Sequence, residues 1–393
     1  MINTRYYNFN NINNLDSSRL IAQLKQQIND LPALQIVQNQ QESQWVQQIA
    51  TDIGQYKNIL IIGTGGSSLG AKTFCALKSK HNLIFLESID NQTINDCFSS
   101  IDLEQTFFIA ISKSGETVET VCQTLILLEK LQQTQNWQNR LLFITQDKHN
   151  SLASIAMQHK AKILPHNPKI GGRYSCFSVV GLLPAVLCGL DVNQIVAGAN
   201  SALQDFCNNP AIIANFCYNQ LQFYNQGYNQ MVLMPYIDKL KYFNDWFRQL
   251  FAESLGKEGF GITPINSTGT IDQHSQLQLY LDGKADKIFT FIISKIDNDC
   301  SIVVPKSNTI FSQKSLQQIL LAEAFSTIDL LAKKGVPIRV IEISNLNEYS
   351  LAKLMMQCFL ETIFLANARN INPFDQPAVE LRKQIARKIL CQN

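Results

Sequence analysis

The 393-residue sequence is poor in charge and in histidine, and its cysteines form no pattern that carries a function by itself. Charged residues are 16% of the chain against 46% hydrophobic, a balance that fills large cores and excludes a disordered polymer. The net charge of +2 comes without a run of lysine or arginine, so neither nucleic acid nor a membrane surface is an expected partner. Ten cysteines include no C-x-x-C pair, and with no apolar leader among the Asn-rich residues 1–17 they read as reduced core thiols of a cytoplasmic protein. The most apolar run, residues 177–190, is broken by Pro184 and falls short of the roughly 20 residues that span a bilayer. Five histidines, at 81, 149, 159, 166 and 274, show no metal-ligand spacing; neither a metal nor another cofactor is expected.

What is present is alternation. Short apolar runs at 59–62, 83–86, 106–111 and 141–145 are bounded by turn residues and separated by helical spacing at 68–78 and 116–131. That order predicts a parallel, doubly wound sheet. It recurs with strands at 231–234, 288–293, 302–304 and 338–343 and helices at 240–255, 315–334 and 347–366. The expected architecture is therefore α/β, with two parallel-sheet domains in three-layer αβα sandwiches. The expected divisions are a helical segment over 1–50, domains over 51–200 and 201–368, and a last helical segment over 369–393.

Two loops follow predicted strands and open predicted helices. Gly63-Thr64-Gly65-Gly66-Ser67-Ser68-Leu69-Gly70 allows the backbone to approach an anion. It is neither a dinucleotide fingerprint, since Ser68 stands where glycine is needed, nor a P-loop, since Lys72 comes one residue late, about 100° around the helix. Ser112-Lys113-Ser114-Gly115-Glu116-Thr117 gathers three hydroxyls and a lysine, donors suited to a monophosphate. Helix capping would explain one hydroxyl, not three. Both loops fall where doubly wound sheets bind ligands. The pair resembles the sugar isomerase (SIS) domain, which implies a phosphosugar ligand but leaves isomerase and sensor both open.

Four further segments carry side chains that suit chemistry. Arg173, in Gly171-Gly172-Arg173-Tyr174-Ser175, has a permanent charge for a developing oxyanion, or for capping carbonyls. Glu253 continues the apolar stripe Phe243, Trp246, Phe247, Leu250, Phe251, where burial would raise its pKa toward that of a general base. A structural carboxylate held by a nearby lysine fits the same spacing. His274 is the only histidine after residue 166, in Asp272-Gln273-His274-Ser275-Gln276. Lys383 follows a helix start at Phe374-Asp375-Gln376-Pro377.

Taken in order from about residue 55 onward, these segments resemble the glucose-6-phosphate isomerase family. The resemblance implies reversible isomerisation of glucose 6-phosphate and fructose 6-phosphate by ring opening and proton transfer through a cis-enediolate. It implies that Glu253 shuttles the proton, Arg173 steadies the enediolate, and His274 and Lys383 help to open the ring. Substrate binding then falls to Gly66, Ser67, Ser112, Lys113, Ser114, Thr117 and Gln376. It also implies a homodimer with shared active sites, His274 reaching the partner's pocket. Ala378, where the family usually has glycine, and Leu255, where a polar residue is commoner, depart from the pattern. A side activity on mannose 6-phosphate, which passes through the same enediol, stays open.

Overall fold

A computed structural model describes residues 2–10, 16–78, 82–146, 149–295 and 302–391. The first sheet comprises β2 (Asn58–Ile62), β3 (Leu83–Leu86), β4 (Thr106–Ile111), β5 (Leu141–Thr145) and β6 (Lys162–Pro165). Its spatial order is β3-β2-β4-β5-β6 and every pairing is parallel. The second comprises β1 (Ile2–Tyr7), β7 (Gln230–Pro235), β8 (Thr263–Asn266), β9 (Lys287–Ser294) and β10 (Ile338–Ile343), in the order β1-β10-β9-β7-β8. All of its pairings are parallel except β1 with β10.

The period-2 geometry of a strand explains how these sequences divide their side chains. In β2 and β4, Leu60, Ile62, Phe108 and Ala110 join an outer core with Leu127, Leu128 and Leu131 of the helix Val118–Leu131. The alternate residues Ile59, Ile61, Phe107, Ile109 and Ile111 join a central core. The second sheet does the same: Val232, Met234, Phe289 and Phe291 pack outward on Ala324, Ile328 and Leu331 of the helix Leu316–Lys333. Met231, Leu233, Ile292 and Ile341 meet the central core, which both sheets share. Strands apolar on both faces are what a sheet covered on both sides requires. The helix Glu348–Ala368 is long and apolar enough to cross a membrane, but 83% of its most apolar window is buried inside the fold. It runs beside the helix Val192–Asn208 through that central core.

Three local differences from the sequence reading stand out. The first fifty residues are not wholly helical: β1 precedes the helices Asp16–Asp30, Pro32–Gln35 and Gln41–Ile53 and pairs along the whole of β10. Antiparallel addition covers an edge that would otherwise expose unpaired backbone groups. Residues 302–304 form no strand; Val303 makes one antiparallel bridge to Ser315, and Ile302 and Val303 stay 62% and 49% exposed. The edge strands β6 and β8, four residues each, are too short and too polar to show in an apolar pattern.

Candidate active site

Chain reversal sets the position of the site. In the first sheet the chain leaves β2 toward β3 on one side and crosses to β4 on the other, so the loops after β2 and β4 flank a crevice at the carboxyl edge. The first loop makes the turn Gly65–Ser67 and leads into the helix Leu69–Cys75. Gly66 lies so near the Gly171–Ser175 turn that a Cβ there would sit 2.2 Å from the carbonyl carbon of Gly172. Ser175 Oγ donates to the Gly66 carbonyl at 3.1 Å. Ser67 is half-buried beside this contact. Lys72, whose position ruled out a P-loop, gives its ammonium to Glu87 at 2.6 Å and lies 4.4 Å over the Tyr242 ring.

The second loop folds on its own hydroxyls. Ser112 Oγ lies 2.9 Å from Thr117 Oγ1 and accepts the Gly115 N–H at 3.1 Å. Gly115 adopts φ +66°, and a Cβ would meet Asn150 at 1.8 Å, so glycine is required twice over. Glu116 accepts from both the backbone N–H and the hydroxyl of Ser151, bracing the loop. Ser112 is fully buried, whereas Ser114 is exposed and Thr117 half-buried. Thr117 precedes the 14-residue helix Val118–Leu131 without capping it through its side chain, which leaves first-turn N–H groups for an anion. Lys113 is half-buried, and its pKa is lowered by burial and then by the Arg173 charge. Two cations thus share a cleft, and among the described residues Lys113 forms no ion pair.

Arg173 is the hub. Only 4% of it is exposed, and each of its five N–H groups has an acceptor. Nε donates to Ser254 Oγ at 2.8 Å. Nη2 donates to the Pro373 and Asp375 carbonyls at 2.6 and 2.8 Å. Nη1 donates to Glu253 Oε2 and Gln376 Oε1, both at 3.2 Å. Carbonyl capping and a role beside a reacting group, the two readings of this arginine, therefore coexist. Tyr174, its phenol 3.0 Å from Ser254 Oγ and pushed up to about 12 by burial, locks the serine that holds Nε.

Glu253 sits in the last turn of the helix Lys241–Leu255. It is not buried as the stripe implies. Leu250 and Trp246 face the core, but position 253 lies at the stripe's edge over the cleft, and its side chain is 31% exposed. Nor does the neighbouring Lys257 hold it. That ammonium bonds Asp375 Oδ1 at 2.7 Å and the Asn372 carbonyl, and the contact lowers the Asp375 pKa. Gln249, one turn earlier on the same face, donates to Glu253 Oε1 at 3.2 Å and packs against Gly65. Sequence reasoning missed Gln249, although its i−4 spacing from Glu253 marked it. It also missed Ser254, Tyr174 and Lys257 as supports, since their roles depend on contacts 80 or more residues away in the chain.

Arg173, Glu253, Gln376, Gly66, Ser67 and the Lys113 loop thus converge, while His274 and Lys383 make no hydrogen bond to that set among the described residues. His274 ends the turn Ile271–His274 beyond β8, is exposed, and makes no hydrogen bond with the Arg173 cluster. The turn is entered through Thr270, a β-branched residue held at φ +62°, a strained conformation typical of functional loops. Lys383 lies in the helix Pro377–Cys391 and pairs with Glu380 Oε1 at 2.6 Å. A separate cavity of about 570 Å³ between β1 and the helix Ala211–Asn225 is less suited to a phosphate, since its wall lysine, Lys353, is paired with Asp205 at 2.6 Å.

A probable glucose-6-phosphate isomerase of Methanococcus maripaludis is 35% identical over 349 residues, covering 85% of this chain and 79% of its own. The Campylobacter jejuni glucose-6-phosphate isomerase is 33% identical over 361 residues, 87% of each chain. Among solved structures, a hypothetical protein of Thermus thermophilus superposes with a TM-score of 0.88 at 26% identity, over 95% of this chain and 94% of that one. The glucose-6-phosphate isomerase of Chlamydia trachomatis shares the fold, with a TM-score of 0.72 at 22% identity over 97% of this chain and 76% of that one. The family model described as phosphoglucose isomerase matches residues 10–393, and the chain belongs to that family.

Proposed function

We propose that the cleft interconverts glucose 6-phosphate and fructose 6-phosphate, a step of glycolysis and gluconeogenesis. The observation that carries this is Arg173 Nη1 standing between the carboxylate of Glu253 and the amide of Gln376, opposite a hydroxyl loop with a cation of its own. Isomerisation removes a proton alpha to a carbonyl and places it on the adjacent carbon. It requires a base that can reach both carbons and a fixed positive charge for the enediolate oxygen. Glu253 is accessible to a ligand yet steered by Arg173 and Gln249, which suits a base passing one proton between C1 and C2. The two Nη1 contacts are the longest of the arginine's five, and they are the ones a substrate oxygen takes over. Ser114, Thr117, Lys113 and the helix start receive the phosphate; Ser112 shapes that loop from beneath. Gly66 and Ser67 line the sugar side.

His274 and Lys383 act in ring opening, His274 in the site of a second subunit of a cytoplasmic homodimer. Its exposure and its separation from the hydrogen bonds of its own Arg173 cluster favour action in trans. Turnover of purified protein on glucose 6-phosphate and on mannose 6-phosphate tests the activity; no turnover of the first refutes it. Mixing inactive Glu253→Gln and His274→Ala chains tests the sharing. Recovered activity supports sites built from two chains, and none after heterodimer formation refutes it.

A further inference from the structure

Burial pushes the thiols of Cys176 and Cys217 well up, and Cys217 Sγ donates to the Glu361 carbonyl at 3.6 Å. Cys75 and Cys188 are different. Cys75 is the last residue of the helix Leu69–Cys75, and Cys188 caps the helix Val179–Leu187. The two C-termini meet, and each thiol points at the end of the other helix. Cys75 Sγ donates to the Pro184 carbonyl at 3.7 Å, and Cys188 Sγ to the Cys75 carbonyl at 3.8 Å.

From this reciprocal placement we infer that Cys75 and Cys188 form a reversible disulfide under oxidation by a hydroperoxide, stapling the helix behind the Gly63–Gly70 loop to the helix behind Arg173. The pair is asymmetric in a way that orders the chemistry. Cys188 is 7% exposed against 1% for Cys75. Burial pushes the Cys75 thiol up, whereas the charge of Lys78 favours the thiolate of Cys188. The Cys188 thiolate therefore attacks the peroxide. Its sulfur–oxygen bond forms as the O–O bond breaks, and the leaving hydroxide takes a proton to become water. Cys75 then loses its proton and attacks the Cys188 sulfur. The S–S bond forms, the S–O bond breaks, and the second oxygen leaves as water. Two thiols are oxidised by two electrons and one hydroperoxide is reduced.

The two residues lie 113 apart in the chain, so the bond removes a large share of the unfolded chain's freedom. A rise in Tm of several degrees is expected, reversed by dithiothreitol. The reduced protein is treated with one equivalent of hydrogen peroxide, alkylated with N-ethylmaleimide and digested. The predicted product is a Cys75–Cys188 linked peptide, absent from Cys188→Ser and from Cys75→Ala, neither of which gains Tm on oxidation. The exposed Cys122, Cys207 and Cys391 are internal controls. Their oxidation with Cys75 and Cys188 both still alkylated, or a sulfinate on Cys188 with Cys75 free, overturns the inference. None of these readouts uses isomerase activity, so the outcome is independent of the proposed function.

Discussion

Replacing Arg173 with lysine keeps the charge and removes the geometry, so it isolates what the guanidinium fork does. Five N–H groups serve Ser254, Glu253, Gln376 and the carbonyls of Pro373 and Asp375. An ammonium has three donors on a single atom, so at least two of these bonds are lost whatever rotamer lysine adopts. Hydrogen bonds to charged groups are worth about 1.5–3 kcal/mol each, so the loss is roughly 3–6 kcal/mol. Spent in the transition state, that is about 10²–10⁴ in kcat/KM. Part of it will surface as stability, because the Nη2 bonds pin the turn before Gln376. The assay couples glucose 6-phosphate formation from fructose 6-phosphate to a NADP-dependent dehydrogenase, with the fold checked by circular dichroism. The drop should fall mainly on kcat, since the enediolate rather than the phosphate is the group deprived. A folded Arg173→Lys variant within about threefold of wild-type kcat/KM would refute the assignment of the fork.

Two further outcomes follow from the loop and from the buried histidine. Ser112→Ala with Thr117→Ala removes the paired hydroxyls that shape the loop, one of them a phosphate donor; KM for fructose 6-phosphate should rise at least roughly tenfold with a smaller change in kcat, and an unchanged KM removes the loop from the site. His166 is 2% exposed, and burial lowers its pKa to about 4, with its Nδ1 bonded to the Asn167 carbonyl at 3.0 Å. Because the folded protein resists protonating it, the unfolded chain binds more protons between its ordinary value of about 6.5 and about 4. The stability it contributes is complete above that window, falls as pH drops through it, and amounts to about 3 kcal/mol. Urea midpoints at about pH 7 and about pH 4.5 should differ less for His166→Gln than for wild type, and equal differences would refute the sign.

The parts of the fold legible in the sequence are those where a local pattern and the tertiary environment agree. β2 and β4 are apolar on both faces because both faces are covered, and their boundaries are readable from turn residues alone. β1 is not, because an edge strand of mixed polarity takes its order from β10, 331 or more positions away. Residues 302–304 mislead for the opposite reason: β-branched side chains there have no sheet to join. The site shows the same division. Arg173 and Glu253 are visible as a lone guanidinium on a glycine turn and a carboxylate continuing an apolar stripe, although the stripe implied a burial that Glu253 does not have. That they meet, and that Gln376 and the 373–375 carbonyls complete the set, depends on contacts across 80 and about 200 residues that no spacing encodes.

The central claim is that Glu253 carries the proton between C1 and C2. Glu253→Gln preserves length and the hydrogen-bond partner for Arg173 while removing the basic carboxylate. Fructose 6-phosphate incubated in deuterated water with this variant should exchange its C1 hydrogen and form C2-deuterated glucose 6-phosphate more slowly than with wild type by at least roughly 10²–10⁴. Binding of a non-reacting sugar phosphate should change little. Deuterium incorporation at a near wild-type rate by the folded variant would contradict the account.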